Sequence, residues 1–439
     1  MHRQRWRTCI FTISAKRKNN KLLEDLMLDI LKFELYKIVK IKLFLFSPII
    51  IFGMTVTLLM ASLSSVSSYD ENGNYVKGHK SIKYEKKYAE KISGELTPEK
   101  IADVIEMHNK IYADTDNLNE NNVIRESVYI SELYPYNRLV SYIAAVYTHT
   151  GLQPDYNIIR DLKYEDGRDF YSRRKEQLIG TLNMDYSYGN YSDGEKMTIL
   201  KFDGELSEPF VIGYTLGWEN LTENLFPFLV ILTFVAFINV SSVFSDEFQR
   251  GTAQIILSAK HGRGKVFVAK TVSAFLISTS MFAVFVGAFI LTFGLVFGFD
   301  GSGASIQSLA LLSVYDLSLG EAFFTAILIA YAVFIFMIFF ALTVSVLCRS
   351  NFTSVLLVSA LYFIPLFLRN SQSSKLCNYL VDLLPIKAMN VFDMFRQYKL
   401  YGFSGAFIKQ PYFVMVLMPV LSVILIAAAR KIYSRLNYN

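Results

Sequence analysis

Six apolar runs constrain this chain more than any other feature. They are Leu43–Val66, Leu225–Phe244, Val266–Phe297, Ala322–Leu347, Phe352–Leu368 and Tyr412–Ala429. Each is near the length a helix needs to cross a hydrocarbon core of about 30 Å. Composition agrees: of 439 residues 52% are apolar and only 19% are charged, less charge than a soluble chain of this size carries. The fold class expected is a mostly α membrane protein with six transmembrane helices. The fifth run is short and holds Pro365, so its ends are poorly defined. The third exceeds what a span requires, and either tilts or extends beyond the bilayer.

Lysine and arginine placement sets the expected orientation. Residues 1–42 hold eleven Lys/Arg against four Asp/Glu, and residues 246–270 hold five against two. The tail adds Arg430, Lys431 and Arg435. An even number of spans puts these three regions on one side, so six spans place both termini in the cytoplasm. The segment after the first span then faces outward, and its 27 acidic and 18 basic residues make it acidic. Usage rich in Lys, Asn, Ile and Tyr points to a bacterial cell membrane.

Four regions are expected on this basis. Residues 1–42 form a basic cytoplasmic N-terminus. Residues 1–25 show no clear period, and Met27 opens a more regular segment, so Met1 and Met27 both stand as starts. From Leu26 to Lys42 apolar residues (Leu26, Ile30, Phe33, Val39, Ile41) interleave with charged ones, as in a helix lying in the membrane interface. Residues 43–66 are the first span. Residues 67–223 are long enough for a folded extracytoplasmic domain, mainly helical. In it, Thr97-Pro98-Glu99 predicts a helix start, Val128–Tyr147 reads as helical, and Met197–Phe202 reads as a short strand. Residues 224–439 carry five more spans, with a cytoplasmic loop at 246–265.

Catalytic signatures are missing. His79, His108 and His149 have no second ligand at metal-type spacing. Gly262-Arg263-Gly264-Lys265 lacks the glycine spacing and the following Ser or Thr of a phosphate-binding loop. No acidic residue interrupts the apolar runs, so ion coupling through the spans has little support. The chain is not expected to be an enzyme, to hold a metal or cofactor, or to bind nucleic acid.

What remains is the loop Asp246–Lys270. Acids come first (Asp246, Glu247), then Arg250-Gly251-Thr252, an apolar patch at Ile255, Ile256 and Leu257, and a basic cluster through Lys260, Arg263 and Lys265. A plain tether needs no apolar patch before a basic cluster. This order fits a segment that folds at the membrane face and touches another protein; the alternative for Lys260, Arg263 and Lys265 is that they only obey the positive-inside rule and bind anionic lipid.

The loop resembles the segment between the second and third spans of type-two ABC exporter permeases. The matching residues are Glu247, Gly251-Thr252, Ile256-Leu257-Ser258, Arg263 and Lys270, and Leu384-Pro385 precedes the last span. One departure is Ala259-Lys260-His261, where many members have a proline. The resemblance implies a coupling helix seated in a cleft of a separate ATPase subunit, formed by Glu247, Arg250, Gly251, Thr252, Ile256, Leu257, Lys260 and Arg263. Burying two of the apolar side chains there is worth roughly 3–6 kcal/mol before ordering costs. It also implies ATP on the partner subunit, a second permease chain forming a homo- or heterodimer, contact with membrane lipid, and export of a peptide or lipid cargo. A membrane sensor whose outer domain binds a ligand remains the alternative reading.

Overall fold

The structure is a computed structural model that describes residues 27–121, 123–403 and 406–436. The basic stretch 1–26, with Cys9, lies outside the described residues.

Among the described residues, five helices are long and apolar enough to cross a membrane. They are Lys42–Ser65 (α2), Leu216–Gln249, Gly262–Phe297, Leu319–Leu347 and Gln410–Arg435. The sixth expected span is shorter. Asn351–Phe363 is α-helical, and Ile364–Phe367 tightens to a 3-10 turn at Pro365, whose ring cannot continue the α-helix. At ~1.5 Å per α residue and ~2 Å per 3-10 residue this piece reaches roughly 28 Å, just under a hydrocarbon core. The third span continues for 31 α-helical residues, in line with its long apolar run.

Before α2 lies a helix over residues 27–39 (α1), with Glu34 and Ile38 turned inward. Leu28, Phe33, Tyr36 and Val39 are exposed, an apolar surface suited to a bilayer interface. The segment after α2 opens with a hairpin of Ser67–Tyr69 (β1) and Tyr75–Lys77 (β2), followed by His79–Ile92 (α3). Pro98–Ala113 (α4) starts where the sequence predicts: the Thr97 side chain accepts from the Lys100 N–H at 3.2 Å. Residues 126–147 are helical throughout and end in Asn137–Tyr147 (α5). Phe170–Asn183 (α6) and Asp193–Gly204 (α7) complete the helices of this domain that matter below.

Met197–Phe202 is not a strand; it lies inside α7. Ser192 and Glu195 cap that helix reciprocally, satisfying two free N–H groups, and the helical period turns Ile199 and Asp203 to the buried face. The domain has its own apolar core, built from Ile101, Ile105, Leu139, Ile143, Phe170 and Ile212.

The long second and fourth helices form the centre of the spanning region, and α2 is peripheral: 72% of the apolar window of the second helix is buried inside the protein, against 17% for α2. The surface of α2 therefore faces lipid or another chain. Within the core Phe228 stacks on Phe289, centroids 4.4 Å apart. The inter-span domain is bolted onto the connection between the third and fourth helices. The buried Arg174 guanidinium pairs with Asp203 at 2.6 Å and donates to the Leu311 and Ser313 carbonyls.

Candidate functional site

The loop between the second and third spans grows directly out of two long helices. The second begins as Leu216–Ser241 (α8) and resumes after a short turn as Ser245–Gln249 (α9). Ser345 Oγ, from the fourth span, accepts from the N–H groups of Phe244 and Ser245, both at 3.1 Å, and so satisfies the junction. Asn351 braces α9 from the other side, donating to Asp246 at 3.0 Å and accepting from Ser245 Oγ at 2.7 Å.

Gly251 then turns the chain with φ +71°, a left-handed conformation that costs any other residue. Six residues, Ala253–Ser258 (α10), follow. One face of α10 holds Ala253 and Leu257 against the protein, while Ile255 points away and is 73% exposed. Gly262 sits on the backbone of α10: a Cβ there would overlap the Ile256 carbonyl oxygen. This close approach accounts for a glycine that no phosphate cradle explains. The chain re-enters the membrane region through a π-turn, Gly262–Val266, and Phe267–Phe297 (α11).

At the base of the loop four charged groups meet. Lys270, on α11, is fully buried; its Nζ lies 2.6 Å from Glu247 Oε1 and 3.0 Å from Glu34 Oε2, and donates to the Val243 carbonyl at 3.0 Å. Lys37 reaches the same carboxylates, 3.1 Å from Glu247 and 3.3 Å from Glu34. Two cations and two carboxylates balance, which is what makes burial tolerable. Burial opposes the charge of Lys37, but the Glu34 and Glu247 carboxylates outweigh it and hold its pKa above the ordinary lysine value. The cluster ties α1, the end of the second span and the start of the third into one clasp.

This geometry sorts the residues singled out by sequence. Glu247 is buried in the clasp and is not a surface contact. Leu257 is turned into the chain's own core and Ile256 is half-buried, so of the apolar trio only Ile255 projects. Arg263 is exposed but occupied within the chain, donating to the carbonyls of Ser434 at 2.8 Å and Leu436 at 3.2 Å at the end of the last helix. Thr252 hydrogen-bonds weakly to the Glu247 carbonyl at 3.4 Å. Arg250 pairs with Asp246 at 2.8 Å while staying largely exposed, and Gly251 and Lys260 are exposed. The tip is therefore Arg250, Gly251, Thr252, Ile255 and Lys260.

Glu34 and Lys37 are the members that sequence reasoning missed, and Lys270, which ends the family-like loop, is expected there with no partner named. A lysine inside the apolar run Val266–Phe297 signals a required counter-charge, and Glu34 in the preceding amphipathic pattern was available to supply it. Beside the tip, a groove of about 690 Å³ runs between α1 and the loop, with Ile30, Phe33, Thr252, Ile256 and Val266 in its walls.

A bundle of long apolar helices agrees with the comparison to known families. The family model described as "ABC-2 family transporter protein" matches residues 28–430, which include the whole loop and its clasp. No curated protein and no solved structure matches the chain. The chain is thus a multi-pass membrane protein and belongs to the ABC-2 family of transporter proteins.

Proposed function

We propose that this chain is the permease subunit of an ATP-driven exporter and that a separate ATPase chain docks on the tip of the loop at 246–265. The observation that carries this reading is the division of labour in the loop. Its base is fixed by the Glu34–Lys37–Glu247–Lys270 clasp, while Ile255 is left 73% exposed at its tip. An exposed isoleucine beside Arg250 and Lys260 offers an apolar anchor with a cationic rim, suited to a cleft with acidic edges. A force applied at Ile255 passes through α10 to Glu247 on α9, and from there to α1 and α11, because the clasp joins all three.

In this reading the loop end of the bundle is cytoplasmic and both termini lie there. Asn351–Phe367 completes six spans, and the domain between α2 and α8 is extracytoplasmic. Two permease chains pair, as a homo- or heterodimer, in a bacterial cell membrane. ATP is bound and hydrolysed on the partner ATPases, whose closure rocks the helices between inward and outward states. The cargo is a peptide or a lipid.

The test is co-purification of the ATPase with the full chain from native membranes. Ile255→Glu alters an exposed side chain and leaves folding within about 0.5 kcal/mol, but places a carboxylate in the docking contact. Loss of the ATPase from the variant, with unchanged thermal stability, is the expected result. Retention of the complex with undiminished ATP hydrolysis overturns the assignment.

A further inference from the structure

A second surface, at the opposite end of the bundle, gathers lysines on one helix face. The helix α3 follows α2 through the β1–β2 hairpin, and the Gly78 N–H donates to the Val66 carbonyl at 2.8 Å, so α3 begins level with the end of the first span. Lys86 pins it there, pairing at 2.6 Å with Asp300 just beyond the end of α11. Ser81, Ile82 and Ile92 face inward. The opposite face, at helical spacing, presents Lys80, Lys83 and Lys87.

These lysines border a cleft of about 890 Å³ that also touches Val296 on α11. Lys87 is paired with Glu71 at 2.5 Å. Among the described residues, Lys80 and Lys83 have no carboxylate within ion-pair distance, although the Glu71 carboxylate that Lys87 holds also feels Lys83. Asp70 and Glu90 also border the cleft, and Asp70 already accepts from the N–H groups of Asn72 and Asn74. Next to Val296, Leu295 is 82% exposed and Leu291 58% exposed on α11.

An occupant of this cleft meets Lys80 and Lys83 on α3 and, at Val296, the end of a membrane-crossing helix; the exposed Leu291 and Leu295 lie outside the cleft, farther along that helix. A molecule with a phosphate at one end and acyl chains at the other satisfies both. We infer that the cleft binds the phosphate headgroup of an anionic phospholipid from the leaflet at the domain end, with its chains lying along α11. The concentration of lysine is a property of this face, since the domain as a whole carries 27 acids against 18 bases. The inference rests on the chain's being membrane-spanning and is independent of ATPase docking.

The experiment is native mass spectrometry of the full chain in detergent, titrated with phosphatidylglycerol or phosphatidylcholine. Neutralising both free lysines (K80Q/K83Q) weakens the tightest phosphatidylglycerol site by about 30-fold and leaves phosphatidylcholine binding unchanged, while K80R/K83R retains the anionic lipid. Added sodium chloride weakens the wild-type adduct. Equal phosphatidylglycerol binding by wild type and K80Q/K83Q overturns the proposal. So does displacement of the lipid by equimolar inorganic phosphate, which marks a site for the free ion. If K80Q/K83Q does not fold, a wild-type adduct indifferent to salt refutes it instead. ATPase co-purification persists in K80Q/K83Q, so failure here leaves the docking reading standing.

Discussion

The clasp at the loop base makes a quantitative prediction through its charge count. Glu247→Gln leaves two ammonium groups, Lys37 and Lys270, sharing the single carboxylate of Glu34, with Lys270 fully buried. Breaking a buried pair on one side costs about 3–5 kcal/mol, because a charge is left without compensation. Lys270→Met makes the opposite error, setting Glu34 and Glu247 against Lys37 alone at a similar cost. The double variant removes one charge of each sign. It keeps the Lys37–Glu34 pair, which at 3.3 Å and three residues apart on α1 needs nothing from the other helices. The double variant therefore loses less than the sum of the singles, with a coupling of about 2–3 kcal/mol. The assay is a double-mutant cycle on equilibrium unfolding of the full chain in one fixed detergent. Additivity within about 0.5 kcal/mol shows that the groups do not share a site and refutes the clasp.

Other predictions follow from the same structure. Gly262→Ala drives a methyl group into the Ile256 carbonyl oxygen, and a backbone atom cannot rotate away. The expected result is a destabilisation of several kcal/mol, of order ~3, seen as a lower unfolding midpoint; an unchanged midpoint contradicts the close approach of Gly262 and α10. Lys409 is pushed down to about 8 by burial, with Glu205 and Asp316 only partly restoring it. A lysine whose folded pKa lies below its unfolded value, about 10.4, binds fewer protons when folded across that interval, so stability rises as pH increases through it. The wild-type unfolding midpoint is expected to gain on that of Lys409→Met between pH 8 and about 10.4. Parallel pH profiles for the two proteins contradict the shift.

Much of the framework is legible because local physics dictates it. The long apolar runs become long helices, Thr97 caps α4, and Ile101 and Ile105 line the domain core at helical spacing. Met197–Phe202 is helical and not a strand because the Ser192–Glu195 cap outside this six-residue window fixes the helix around it. In the loop, Ala253 and Leu257 lie four apart and share a face, so the helical period separates them from Ile255 and the apolar trio is not one anchor. The clasp was hidden for a different reason. Lys270 and Glu34 are 236 positions apart, and Lys37 and Glu247 are 210 apart. No local pattern joins such pairs, and only the demand that a lysine in an apolar run find a counter-charge points to them.

The central claim is that the loop tip, not its base, meets the ATPase. The most direct measurement places a photoreactive p-benzoylphenylalanine at position 255 of the full chain, in native membranes, with a control at Val284. Val284 is 64% exposed on α11 and faces lipid in this account. On illumination, position 255 is predicted to give a covalent adduct containing the ATPase, lost in Arg250→Glu, while position 284 gives none. An ATPase adduct from position 284, or none from position 255 in membranes where ATP hydrolysis depends on this chain, contradicts the account.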